Sequence, residues 1–191
     1  MHMNFISELQ ITLYEISILN SIKEFYENKI NMQIITSIIT TKSNISIRLI
    51  DYFITKYSKH NKINYYLLTT TPNKSKILFN IYSSYKQQLK IFQKKYFDPF
   101  SRGNRIPYFF IDDSCIITTI GQLNFYKWLI EKNIYQYIIN NINNIELDMN
   151  KHNKLNKTQN KKNVINKCNL IKNNTKNDIH NFPSNIVSFS F

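Results

Sequence analysis

Both glycines of this chain, Gly103 and Gly121, lie in one stretch, 96–128, together with two of its four prolines, its single tryptophan and one of its two cysteines. Average usage puts glycine at about 7%, so a chain with two either keeps them for a reason or has lost most by drift, and the rest reads as built around this stretch. Asp98-Pro99 and Ser101-Arg102-Gly103-Asn104 are loop and turn. Residues 105–111 and 115–118 read as two strands across a tight turn at Asp112-Asp113-Ser114. Thr119-Ile120-Gly121-Gln122 then opens a helix in capping-box form, with Thr at the N-cap and Gln three residues on. Gly121 in that first turn costs roughly 1 kcal/mol against Ala. A tight packing contact is the simplest return for it.

The net charge of +13 is unevenly placed. Residues 42–105 carry thirteen Lys/Arg and two Asp, a net of +11, and residues 151–191 carry eight Lys and one Asp, a net of +7. The segments 1–41 and 106–150 are slightly acidic, at −2 and −3. A basic belt of this kind is the usual electrostatic footprint of nucleic acid or another anionic surface. Two cysteines, Cys115 and Cys168, make no disulfide framework, and Cys115 reads as a small buried strand residue. The N-terminus has no basic n-region, so no secretory signal is expected, and no apolar run long enough for a membrane span occurs.

Taken in order, residues 3–27 read as an amphipathic helix with Ile6, Leu9, Leu13, Ile16, Leu19 and Ile22 inward. Residues 32–40 form a short helix. A turn at Thr41-Lys42-Ser43-Asn44 leads to a helix over 45–57, with Ile45, Leu49, Phe53 and Tyr57 on one side. Residues 62–70 form a strand, broken by Thr71-Pro72-Asn73. Residues 75–96 read as the longest helix, its seam Leu78, Tyr82, Tyr85, Leu89, Phe92 and Tyr96. Helices over 122–132 and 134–149 follow, with Trp128 in the core. From 150 the chain turns Asn/Lys-rich, with Asn at ten of the 28 positions 150–177, a composition expected to be disordered. Residues 185–191 alternate Val187, Phe189 and Phe191 with Ile186, Ser188 and Ser190, the period of a strand.

No catalytic constellation can be assembled. The four histidines have no metal-ligand spacing, Asp112-Asp113 reads as a turn former, and there is no Gly-rich phosphate loop, so neither metal nor cofactor is expected. The candidate binding residues are Lys76, Lys86, Lys90, Lys94, Lys95, Arg102 and Arg105. Lys86, Lys90 and Lys94 repeat every four residues with no acid in their helix, an arrangement that costs a few tenths of a kcal/mol per like-charge pair unless something anionic faces it. Arg102 and Arg105 extend the field, and Ser101–Arg105 offers guanidinium groups to a phosphate.

The strings YFDPFSRGNRI and IITTIGQLNFYKWLIEKNIYQYI resemble a family of uncharacterised proteins of nucleocytoplasmic large DNA viruses. The resemblance covers most of 23–150 and the last few residues. It implies a viral source, with the host cytoplasm (the viral factory) or the virion as location, and it carries no activity. The expected architecture is α+β and mainly helical, with helices around a small antiparallel sheet containing a hairpin near 105–118. Residues 1–149 form the domain, 150–181 a disordered linker and 182–191 a docking strand. The expected role is non-catalytic: DNA or RNA association through the basic belt, or an assembly protein whose basic surface meets an acidic viral protein. No membrane partner is expected.

Overall fold

A computed structural model of the chain describes residues 11–68, 75–109 and 115–177. The fold divides into two units after Met149. In the first, helices surround two separate two-stranded antiparallel sheets.

Helix α1 spans Leu13–Glu27. It starts later than the apolar period predicts, because Thr12 and Glu15 form a full capping box: the Glu15 N–H donates to Thr12 Oγ1 at 3.3 Å and the Thr12 N–H to Glu15 Oε2 at 2.9 Å. Two orphan donors are satisfied there, so the chain turns into the helix at that point. Ile6 and Leu9 lie outside the described residues. The buried face is Glu15, Ile18, Ile22 and Tyr26, and Leu13 is 86% exposed, so the expected stripe is rotated.

Helix α2, Lys29–Ile39, is capped by the Asn28 side chain and buries Met32, Ile35 and Ile38. Helix α3, Ile47–Tyr52, is capped by Ser46 and widens into a π turn, Phe53–Tyr57, before a last α turn, Ser58–His60. Ile45, Leu49 and Phe53 are buried at the predicted spacing.

Strand β1, Asn64–Leu68, pairs with β2, Lys76–Asn80, with Tyr66 opposite Leu78. This corrects the helix expected over 75–96. Ile77, Leu78 and Phe79 suit a strand, and Asn80 is a strong N-cap: its Oδ1 accepts from the Ser83 N–H at 2.7 Å. Helix α4 is therefore only Ile81–Phe92. Lys76 belongs to a strand, and Lys94 to a separate 3-10 turn, Lys94–Tyr96. Between helix and turn, Gln93 takes φ 58° and ψ 169°, a region almost reserved for glycine.

Strands β3, Arg105–Phe109, and β4, Cys115–Thr119, form the expected second hairpin, with Ile106 opposite Thr118. The turn residues Asp112, Asp113 and Ser114 lie outside the described residues. Ile106, Ile116 and Thr118 point inward and are buried. Cys115 lies on the other face and is exposed, not buried as expected: strand alternation, not residue type, sets its side.

Helix α5, Ile120–Glu131, is buried on almost every side. Helix α6, Ile134–Asn140, and α7, Ile142–Asn177, replace the single helix expected over 134–149. Ile134, Ile138 and Ile145 are buried as predicted. In the second unit α7 continues through 150–177, where composition predicted a disordered linker. No Gly or Pro interrupts residues 122–182, and Lys is a good helix former; an inability to build a core does not forbid a local helix. The proposed docking strand at 182–191 lies outside the described residues.

Candidate nucleic-acid interface

The turn that carries Lys94, Lys95 and Arg102 is held from below by the start of α5. A Cβ on Gly121 would stand 2.8 Å from the Lys95 carbonyl oxygen, and one on Gly103 would meet the same oxygen at 4.0 Å. Neither glycine has positive φ; Gly121 supplies the space of a missing side chain, whereas a Cβ at Gly103 would meet only ordinary van der Waals neighbours. The Asp98 N–H donates to the Gly121 carbonyl at 3.2 Å. Gln122 Nε2 and Tyr126 Oη both donate to the Pro99 carbonyl, at 2.9 and 3.1 Å, and Asn124 Nδ2 donates to the Tyr96 carbonyl at 3.0 Å. Only half of the expected capping box forms: the Gln122 N–H donates to Thr119 Oγ1, but the Gln122 side chain binds the 99 carbonyl and Thr118 instead of the cap. Phe97 anchors the same turn, with ring centroids 5.2 Å from Phe125 and 5.4 Å from Trp128. Trp128 is core, as predicted, and its Nε1–H donates to Ser84 Oγ on α4.

The seven candidate cations fall into two groups. Lys95 and Arg102 are engaged within the protein. Lys95 Nζ donates to Tyr96 Oη at 2.8 Å and lies 3.4 Å from Glu15 Oε1, and both the hydroxyl and the carboxylate hold its pKa up. Arg102 grips Asp98 with two bonds of 2.8 and 2.6 Å and lies over the Phe100 ring. The Ser101–Arg105 loop is thus not an open phosphate clamp, since an internal carboxylate already fills the Arg102 fork. Lys76, Lys86, Lys90, Lys94 and Arg105 are exposed, and none has an acidic partner among the described residues.

The fold adds two lysines that are not among the seven candidates, Lys59 and Lys56. Lys59 Nζ stands 5.5 Å from the centre of the Tyr82 ring, within cation–π range, and Tyr82, Lys86 and Lys90 follow in four-residue steps along one face of α4. Lys56 and Lys94 both act on Asp51, whose carboxyl is raised by burial and pulled back down by the Arg102, Lys94 and Lys56 charges. Between Asp51 and Asp98 the chain has nine lysines and no acid. The lysines of the last α turn and of α4 therefore share one positive surface, bounded by half-buried or buried carboxylates at its edge.

A cavity of about 80 Å³ lies beside this surface, lined by Glu15, Lys95, Gly103, Thr119 and Gly121. Its one cation and one anion neutralise each other. Among the described residues no group of three His, Cys, Asp or Glu side chains is placed to hold a metal ion, and no helix is long and apolar enough to cross a membrane.

The model of a family of unknown function, DUF7197, matches residues 2–190. An uncharacterised protein of Acanthamoeba polyphaga mimivirus is 35% identical over 151 residues, covering 76% of this chain and 57% of that protein. The chain thus spans little more than half the length of that viral relative. No solved structure matches. The chain belongs to the DUF7197 family and is similar to an uncharacterised giant-virus protein, in keeping with the resemblance.

Proposed function

We propose that this DUF7197 protein associates with nucleic acid through the basic face of α4 and the turns beside it, without base-specific readout and without catalysis. The observation that carries this reading is the division among the cations. Lys95 and Arg102 are paired with carboxylates, while Lys86 and Lys90 stand one turn apart with no acidic partner among the described residues. Such a ridge is mildly unfavourable by itself and favourable against phosphates, which release condensed counterions on contact. On this reading the protein acts in the viral factory or the virion, which is consistent with its giant-virus relative.

The test is a salt titration of binding to duplex and single-stranded nucleic acid by the full chain and by a Lys86→Gln/Lys90→Gln/Lys94→Gln variant. The variant should bind more weakly, and its log–log salt slope should flatten by up to about 0.9 per lost duplex contact. Unchanged affinity and slope would refute the reading.

A second reading, a protein partner, is favoured by the outward face of β3 and β4, where Ile117 is 56% exposed beside Phe109 at 40%. Exposed apolar area rimmed by charge is typical of protein contacts. Copurification from infected cells with and without nuclease separates the two: a protein partner survives nuclease and a nucleic-acid-bridged one does not.

A further inference from the structure

We propose that the outward face of the β1–β2 hairpin is a stacking platform for unpaired bases, so that the ligand of the basic face is a single strand. This rests on the nucleic-acid reading above and narrows it. The register places Tyr66 opposite Leu78 and Leu68 opposite Lys76, all on one face with the Asn64–Asn80 pair. The other face does the packing. Tyr65 and Phe79 have ring centroids 5.3 Å apart, the Tyr65 ring stacks on Tyr137 and its hydroxyl donates to the Lys132 carbonyl. Tyr66 has no such role among the described residues: it is 67% exposed, next to Leu78 at 61%.

The platform runs directly into the lysine ridge. Asn80 Nδ2 donates to Asn64 Oδ1 at 2.6 Å, while its Oδ1 caps α4, whose Tyr82, Lys86 and Lys90 follow. An exposed ring joined to a row of unpaired lysines matches one ligand chemistry in both parts. Unpaired bases offer flat apolar faces to the ring, and their phosphates offer charge to the lysines. A duplex keeps its base faces stacked inside and has nothing for Tyr66 to cover. A purely apolar partner would leave Lys76, on the same face, and the ridge beyond it without counter-charge.

The test is a fluorescence-anisotropy titration of the full chain with oligothymidylate, oligouridylate and a duplex of equal length. Tyr66→Ala, Tyr66→Phe and the triple lysine variant are compared, each checked for an unchanged melting curve. Tyr66→Ala should weaken single-strand binding by about five- to 150-fold, the loss of one base stack, and leave duplex binding unchanged. Tyr66→Phe should retain single-strand affinity. If Tyr66→Ala binds single strands as the parent does, or weakens single strands and duplex alike, the platform is overturned. If that happens while the lysine variant still loses affinity, only the platform fails. If the lysine variant loses nothing, the basic-face reading itself fails.

Discussion

The junction where residues 95–99 sit on α5 and the face where α4 meets solvent are only a few residues apart in sequence and opposite in construction. At the junction, Gln122, Asn124 and Tyr126 are buried, and each donates to a backbone carbonyl of 96–99. Such groups are costly to bury unpaired and position-specific once paired. Of the α4 residues only Ile81 is fully buried, Tyr85, Leu89 and Phe92 are partly so, and the lysines face water. The contrast teaches that the belt is a surface feature hung on a rigid mount: the mount needs its exact neighbours and the belt needs only charge.

Removing the centre of the mount should have the largest effect. Phe97→Ala empties a fully buried site among Phe92, Phe125 and Trp128, and should destabilise the fold by about 3–5 kcal/mol in denaturant titration. A loss below about 1 kcal/mol would show that the ring cluster is not what holds the turn.

Gly121→Ala comes next. Its new Cβ would press on a backbone carbonyl, which cannot swing away as a long side chain can. The overpacking cost of about 1–3 kcal/mol exceeds the roughly 1 kcal/mol gained in helix propensity, so the variant should be less stable. A raised melting temperature would break the close-contact account.

The mount also has an acid-sensitive corner. Glu15 is buried, and its carboxyl is held below the usual value, first by the Thr12 N–H, against an opposing push from burial, and further by Lys95. A carboxyl with a depressed folded pKa stabilises the fold above its unfolded pKa and loses that contribution as pH falls through the folded value. The stability difference between the parent and Glu15→Gln should therefore be present at neutral pH and shrink on acidification below about 4.5. A difference that does not change with pH would show that the ionised form is not the one favoured.

At the boundary between mount and face, Gln93→Gly should relieve the backbone conformation at φ 58° and stabilise by about 1 kcal/mol after the added chain entropy is offset. On the face itself, the triple lysine variant should shift stability by no more than about 0.5 kcal/mol, and any change should be stabilising at low salt, where like charges repel most. A large loss would mean that the ridge is structural.

The sequence by itself determined the mainly helical α+β class, the second hairpin, Leu49, Phe53 and Trp128 as core residues, and the segment where positive charge collects. Those follow from local period, caps and charge, all of which act over a few residues. The residues of the capping box at Thr12 and Glu15 are also present in the sequence, inside a longer apolar period that runs on toward the N-terminus. Only the tertiary structure decided that 76–80 is a strand, because the partner that makes it one, β1, lies across a connection and helix and strand periods both fit Leu78. Only it decided which cations are available: Arg102 and Lys95 look like Lys86 and Lys90 in one dimension, and differ because Asp98 and Glu15 come within hydrogen-bonding or ion-pair reach. Gly121 was visible as an anomaly, but the carbonyl it makes room for was not, since a close approach between α5 and the turn before it exists only when the chain is folded.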